Sequence, residues 1–289
     1  MPKIIIHSAI DTEQLTYPIG YTVWAMLIAL LVRVIALCSV CHGLRLFSPR
    51  AVVHRPTPSP PSVDHSTPAT PLKVLLVVEP SPFSYVSGYT NRFQEMLRHM
   101  KEAGDEGMRI CTIIAILLTN RHILVRIMTP DVSKNPPTEF CGFPINTMPG
   151  FRLPMYKDVV LSFGSEQICE TIESFKPDLV HVSTPGTLVY RTIAATRKMN
   201  VPLVMSYHTH LPAYAKRYLP FPGISTLAGW LVRLTHSYAD LTLVTSPELK
   251  KELDDIGVRR TAVWEKGVNT EVCRNSPGSV LCADTDIEY

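Results

Sequence analysis

The sequence carries little net charge, and this limits the classes of partner that the chain could bind through its charge. Its 289 residues include 28 Lys and Arg against 25 Asp and Glu, which leaves a formal charge of +3. So small an excess, without a run of basic residues or any basic-aromatic interleaving, argues against a nucleic acid partner. Hydrophobic residues make up 46% of the chain, which is enough for the core of one large or two modest domains.

Paired cysteines and metal-ligand clusters are also lacking. The seven cysteines are odd in number and dispersed, which makes a poor disulfide framework. Cys38 and Cys41 have a CxxC spacing but lie inside an apolar run with no second pair nearby, so they are interpreted as two membrane or core thiols. Asp284 and Asp286 resemble a metal-binding DxD motif, but they lie in a polar tail, which argues against a metal site there. We therefore expect no metal site.

The N-terminal part differs in character from the rest of the chain. Residues 19–41 are apolar apart from Arg33 and a few small polar groups, and about twenty such residues suffice to cross a bilayer as a helix. They predict either a transmembrane helix or the hydrophobic part of a cleaved targeting sequence. As an anchor, the segment would leave the following domain on the cytosolic or stromal side, because arginines follow it. Residues 1–18 form an N-terminal tail, and the proline-rich residues 42–71 form a stiff linker.

The globular part is built from buried strands and amphipathic helices. Residues 201–210 open with a continuous apolar run of about five residues and close in polar groups, which predicts a strand covered on both faces of a parallel sheet. Residues 73–78 predict a second buried strand of this kind. Further strands are predicted at residues 178–182, 241–245 and 261–264. Strands that alternate with helices predict an α/β fold with a Rossmann-like, doubly wound, mainly parallel sheet over residues 72–270. The proline- and aromatic-rich residues 211–222 are expected to form a loop.

The second strand of the sheet has two candidates in the sequence. Apolar residues 111–118 and 123–127 both lie where a single strand is wanted. Periodicity does not choose between them, and either could take that place.

Polar residues follow the predicted strands, at the edge where open α/β sheets bind their ligands. The stretch at 201–210 ends in the polar residues Ser206, Tyr207, His208 and His210. Gly88 lies where the first strand turns into a helix, and backbone N–H groups at such a turn attract phosphate. A plain tight turn at Gly88 and structural loop histidines remain open as alternatives. One glycine also falls short of GxGxxG, which argues against a nicotinamide dehydrogenase.

Six short strings occur in a recognisable order along the globular part. They are Glu-Pro-Ser-Pro-Phe-Ser-Tyr-Val-Ser-Gly-Tyr at 79–89, Lys-Pro-Asp at 176–178, Pro-Gly at 185–186, Met-Ser-Tyr-His-Thr-His at 205–210, Ala-Asp-Leu-Thr-Leu-Val at 239–244 and Lys-Gly-Val at 266–268. On these strings, residues 72–270 resemble the N-terminal half of the plant and algal sulfoquinovosyltransferases, or sulfolipid synthases. Those enzymes are retaining glycosyltransferases, so the resemblance implies the N-terminal, acceptor-side domain of a GT-B fold.

The resemblance also implies an activity and a set of site residues. The activity is transfer of sulfoquinovose from UDP-sulfoquinovose to diacylglycerol, without a metal and with no cofactor besides the nucleotide-sugar donor. His208 would be the catalytic residue that faces the sugar. The substrate-binding residues by the same match are Ser87, Gly88, Tyr89, Tyr207 and His210. A turn, a helix start or packing also explains several of these positions. A lipid acceptor in this pathway implies a chloroplast membrane.

Two departures from the family pattern affect the expected activity. Residues 111–124 look like an insertion before the second strand. Residues 271–289 form a polar tail where the donor-binding domain would follow, so the C-terminal GT-B domain is expected to be absent, and a separate donor-binding chain would then have to complete the cleft. The alternative function is a catalytically inactive, membrane-tethered domain that binds a lipid acceptor or a protein.

Overall fold

The computed structural model describes residues 71–84, 88–106, 123–152, 159–162, 166–218 and 221–264. The predicted tail at 1–18, the apolar segment at 19–41, the linker up to residue 70 and the tail at 271–289 lie outside these ranges. None of the helices within the ranges combines the length and hydropathy that a bilayer-spanning helix requires.

Strands and helices alternate along much of the described chain, as the sequence predicts, but the strands between residues 139 and 161 were not predicted. The strands are β1 (Leu72–Val77), β2 (Ile123–Pro130), β3 (Glu139–Phe140), β4 (Phe143–Met148), β5 (Phe151–Arg152), β6 (Val160–Leu161), β7 (Leu179–Thr184), β8 (Leu203–Tyr207), β9 (Leu241–Val244) and β10 (Thr261–Val263). The helices are α1 (Gly88–Glu106), α2 (Glu166–Phe175), α3 (Leu188–Met199), α4 (Leu211–Tyr218), α5 (Ile224–His236) and α6 (Pro247–Asp255).

Eight of the strands form one sheet in the order β10-β9-β8-β7-β1-β2-β4-β3. All neighbours run parallel except β3 and β4, and β5 and β6 form a separate antiparallel pair. The chain leaves β1 toward β2 on one side and later returns to β7 on the other. The point between β1 and β7 is therefore the topological switch point, where open α/β sheets bind ligands. The predicted Rossmann-like, mainly parallel sheet is confirmed.

The later of the two apolar runs forms the second strand. β2 pairs with β1 over its whole length, from Leu72 opposite Ile123 to Val77 opposite Met128. Residues 123 and 124, the last two of the insertion predicted at 111–124, therefore belong to the sheet. Residues 111–122 lie outside the described residues.

The two faces of the sheet carry different helices. Phe93 and Leu97 of α1 pack with Leu76 on one face. On the other face, Ile172 of α2 belongs to a buried cluster with Val182 of β7. Fully burying a side chain of this size stabilises the fold by about 1.5–3 kcal/mol. Because strand side chains alternate, each strand contributes to both layers and delivers its last residues to the same carboxyl edge.

Helix α4 corrects one expectation, because the loop predicted at 211–222 is helical from Leu211 to Tyr218. Pro212 is tolerated since it lies in the first turn, where a backbone N–H has no partner within the helix. The imidazole Nδ1 of His210 accepts a hydrogen bond from the N–H of Ala213 at 2.9 Å. The residue directly before the helix thus caps it with an imidazole, which is not among the side chains that usually signal a helix start in a sequence.

Helix α6 begins and ends where the sequence predicts. The Ser246 hydroxyl accepts a hydrogen bond from the N–H of Leu249 at 3.2 Å, and Pro247 takes the first helical position. Gly257 follows the helix with φ of +85°, a left-handed conformation that favours glycine. A Cβ at this position would also come within 3.2 Å of the Arg233 guanidinium. The predicted N-cap at Ser246 and the predicted end of the helix at Gly257 are both confirmed.

Candidate active site

The candidate site lies at the carboxyl edge of the sheet, beside the switch point. The neighbouring strands β1, β7 and β8 all end there. The backbone N–H of His208, directly after β8, donates to the carbonyl oxygen of Thr184 at the end of β7, at 3.0 Å. Helix α1 begins at Gly88, after the loop that leaves β1. Loop residues from three strands therefore meet at one rim.

Aromatic rings surround the imidazole of His208. Its ring centre lies 5.4 Å from that of Tyr89, 5.3 Å from that of Phe93 and 5.8 Å from that of Trp264. Its Nε2 lies 2.9 Å from the hydroxyl oxygen of Ser206. Its Nδ1 is buried and forms no hydrogen bond with any of the described residues. One ring nitrogen is thus held by the protein, and the other is a buried polar atom without a hydrogen-bond partner among the described residues.

The surroundings keep His208 neutral. Burial above all, followed by the nearby His181 and Arg92, lowers its pKa to about 3. At neutral pH the imidazole is therefore uncharged, with one nitrogen as donor and the other as acceptor. It can orient a sugar hydroxyl through a hydrogen bond, whereas it does not offer a positive charge.

The first turn of α1 lies against His208. Tyr89, the residue after Gly88, donates its hydroxyl hydrogen to the carbonyl oxygen of Pro80 in the loop after β1. Its ring also meets Phe93 edge-on, with ring centres 5.5 Å apart. Gly88 and His208 therefore belong to one rim, as expected from the sequence. The backbone amides and the dipole at the start of this 19-residue helix favour an anion.

Arg92 is a candidate site residue that sequence reasoning missed. It donates from Nη1 to the carbonyl oxygen of Trp264, and its guanidinium carbon lies 5.5 Å from the centre of the Trp264 ring. It is only 8% exposed, and burial lowers its pKa. No carboxylate among the described residues forms an ion pair with it. A buried guanidinium in this setting attracts an anion. The sequence did contain a signal for Arg92: it lies four residues after Gly88, so a helix that begins at Gly88 places both residues on the same face.

The buried side chain of Glu79 links several residues beside the switch point through hydrogen bonds. Its carboxylate accepts hydrogen bonds from the N–H of Ser162 at 2.6 Å, the hydroxyl of Thr187 at 2.8 Å and the N–H of Leu188 at 2.9 Å. Burial raises the pKa of Glu79 against the opposing effect of these bonds. A Cβ on Gly186 would lie 2.8 Å from Oε2, which explains the glycine. Glu79 thus caps α3 at the point where a ligand phosphate would otherwise be expected.

The structure does not bring Tyr207 and His210 to the imidazole of His208. Tyr207 is buried on the opposite face of β8, and its hydroxyl accepts the N–H of Leu211 at 2.8 Å. His210 caps α4 and pairs through Nε2 with a glutamate of α6. Both residues are held by contacts that shape α4. Ser87 lies outside the described residues, so the substrate-binding roles of all three stay predictions.

Two further buried histidines also lie near the strand ends. His236 lies between the hydroxyl oxygens of Thr184 and Thr242, at 3.1 Å from each, and is a hydrogen-bonded core residue. His181 lies under the aromatic layer, with its ring centre 5.7 Å from that of Phe93. Burial lowers the pKa of both to about 4. Within the described ranges, no group of three or more His, Cys, Asp or Glu side chains could hold a metal ion.

Comparison with known proteins relates the chain to sugar transferases. The model of Glycosyltransferase Family 4 matches residues 109–272. The chain is 37% identical over 215 residues to Sulfoquinovosyl transferase SQD2 of Arabidopsis thaliana, a match that covers 73% of this chain and 38% of that protein. It is 26% identical over 206 residues to a GDP-mannose-dependent alpha-mannosyltransferase of Mycobacterium tuberculosis, covering 69% of this chain and 48% of that protein.

The chain spans less than half the length of these curated relatives. Among solved structures it is similar to UDP-GlcNAc 2-epimerase from Neisseria meningitidis bound to UDP-GlcNAc, with 15% identity, a TM-score of 0.38 and coverage of 66% of this chain and 46% of that one. So loose a superposition bears on neither fold nor function. The matched range of the family model includes His208 and Trp264 and begins after Gly88.

Proposed function

The chain belongs to Glycosyltransferase Family 4, and from this premise we propose that it forms the acceptor-side half of an enzyme that transfers sulfoquinovose from UDP-sulfoquinovose to diacylglycerol. The observation that carries the proposal is the 37% identity over 215 residues to the Arabidopsis sulfoquinovosyl transferase. The identity to the mannosyltransferase is lower, at 26%, which favours sulfoquinovose over mannose as the sugar. Both relatives are transferases by name, so a catalytically inactive binding domain is not favoured.

The positive charge at the carboxyl edge suits a nucleotide-sugar donor. A diphosphate near the start of α1 would be stabilised by the backbone amides of the first turn and by the helix dipole. The buried Arg92 would add a full charge, whose effect is larger away from water. In retaining transfer, negative charge builds up on the leaving diphosphate as an oxocarbenium-like centre forms on the sugar. Groups that are already oriented toward that charge lower the barrier.

His208 supports the proposal through its neutral imidazole. With Nε2 near Ser206, the buried Nδ1 is the atom available for a sugar hydroxyl. The ring is fixed by its aromatic neighbours, so little orientational freedom is lost when substrate binds. Losing one such preorganised group typically slows an enzyme by about 100- to 1000-fold.

Transfer also needs a second domain that binds the nucleotide on the side of the cleft opposite His208. We assign this role to a second Rossmann-like domain, carried by the same protein or supplied by a separate chain. Diacylglycerol, the proposed acceptor, resides in membranes, and the sulfolipid pathway places the proposed reaction at a chloroplast membrane. A fluorescent fusion that distributes evenly through the cytosol would contradict this location.

The activity is tested by incubating the chain, together with the second Rossmann-like domain that completes the cleft, with diacylglycerol and either UDP-sulfoquinovose or GDP-mannose, and identifying the products by mass spectrometry. We expect a sulfoquinovosyl lipid only, and a loss of at least about 100-fold in His208→Ala. His99→Ala, an exposed histidine of α1, is the matched control and should keep full activity. A mannosyl product would overturn the sugar assignment. Retained diacylglycerol binding without turnover would support the inactive binding domain instead.

A further inference from the structure

Exposed hydrophobic side chains are concentrated on one part of the described surface. The six large ones are Leu124 (46% exposed), Val132 (37%), Tyr214 (53%), Phe221 (48%), Leu227 (39%) and Trp230 (54%). Four of these six lie within α4, α5 and the turn between them. Single exposed hydrophobic residues are ordinary, but a group that includes three aromatic rings marks an interaction surface.

The helical pattern of α5 shows that its exposed hydrophobic side chains do not contribute to the core. Ala228, Leu231 and Val232 are buried and form the inner stripe of the helix. Leu227 and Trp230 are three residues apart and face away from that stripe. Helix α4 packs on α5 through the buried Ala215 and Ala228, with Leu211 and Ile224 partly buried against them.

The charge of the same segment is of one sign. Residues 211–239 contain Lys216, Arg217 and Arg233 and no Asp or Glu at all. All three cations are exposed. Helix α6, by contrast, mixes acidic and basic residues along its length. A surface that combines aromatic and aliphatic side chains with unbalanced cations is complementary to anionic lipid headgroups above acyl chains.

We propose that α4, α5 and residues 221–223 before α5 rest on an anionic lipid surface, with Tyr214, Phe221, Leu227 and Trp230 in the interface and with Lys216 and Arg217 against the headgroups. Tryptophan and tyrosine are enriched at this depth of membranes because their rings combine apolar and polar parts. Helix α4 begins three residues after His208, so the contact would present a membrane lipid next to the candidate site. In that respect the inference rests on the proposed lipid acceptor.

The emission of Trp230 reports this contact locally, independently of any contact made by residues 19–41. The chain has three tryptophans, so Trp24→Phe is compared with the double variant Trp24→Phe/Trp230→Phe, and the difference in emission belongs to Trp230. Vesicles of phosphatidylcholine with about one third phosphatidylglycerol are added, with and without bromine on the acyl chains. We expect a blue shift of the difference emission and strong quenching by the brominated chains. Vesicles of phosphatidylcholine alone should give several-fold weaker quenching.

Charge reversal on α4 provides the matched comparison. Lys216→Glu/Arg217→Glu should weaken the Trp230 quenching at least about tenfold at a given lipid concentration, since each cation near the surface contributes roughly fivefold to binding. Lys251→Glu, an exposed lysine of α6, should leave it unchanged. Trp230 emission that does not respond to anionic vesicles overturns the proposal. Protection of Trp230 by self-association or by a protein, without lipid, assigns the surface to that partner instead. No sugar donor is present, so these outcomes are independent of sugar transfer.

Discussion

Replacing Glu79 with glutamine tests the most constrained carboxylate of the candidate site. The Glu79 carboxylate accepts the N–H groups of Ser162 and Leu188 at 2.6 and 2.9 Å, one at each oxygen. Glutamine offers only one carbonyl oxygen, so its NH₂ group must face one of the two donors. A buried N–H without an acceptor costs about 1–3 kcal/mol. Glu79→Gln should lose about that much, and Glu79→Ala, which deprives both donors, about 2–6 kcal/mol out of a typical total of about 5–15 kcal/mol.

The difference in the free energy of unfolding between wild type and Glu79→Gln should also depend on pH. Burial raises the pKa of Glu79 above its ordinary value of 4.5, so the folded protein holds a proton at pH values where the unfolded chain has released it. The stability that comes from this shift is fully present below the unfolded pKa and is lost as pH rises through the folded pKa. The advantage of wild type over Glu79→Gln should therefore be largest at low pH and shrink as pH rises.

Urea unfolding followed by far-UV circular dichroism at a series of pH values measures both effects. Glu173→Gln is the control, because Glu173 is an exposed partner of Lys198 in a surface ion pair that contributes at most about 1 kcal/mol. A Glu79→Gln protein as stable as Glu173→Gln would refute the buried-acceptor argument. An advantage of wild type that grows with rising pH would refute the direction of the pKa shift.

Two further predictions follow from buried rings. Tyr207→Phe removes the acceptor of the Leu211 N–H and should cost about 1 kcal/mol in urea unfolding; an unchanged midpoint would show that this bond does not stabilise the start of α4. His181, His208 and His236 have folded pKa values of about 3 to 4, below the ordinary 6.5, so the stability from their neutral burial is complete above pH 6.5 and is lost as pH falls toward 4. His181→Phe should flatten this loss, and an identical acid profile would contradict the shift.

Much of the candidate site was visible in the sequence because strand ends and helix starts have local signals. The rim that joins Gly88 to His208 follows from two apolar runs that each end in polar residues. Two further features of the site also had signals in the sequence. Alternation along β8 separates Tyr207 from His208, and helical spacing places Arg92 beside Gly88. The helix at Leu211–Tyr218 had no such signal, since a histidine from the preceding loop caps it.

By itself, the sequence determined the α/β class, the strands β1, β7, β8, β9 and β10 and the ends of α6, because these depend on periodicity and on capping residues within a few positions of one another. The tertiary structure alone decided that residues 123–130 form the second strand, that Glu79 caps a helix more than a hundred residues away and that Arg92 is buried against Trp264. These outcomes depend on which distant groups share a desolvated space. Desolvation sets the pKa of His208 and the need of each buried N–H for an acceptor, and no local pattern records it.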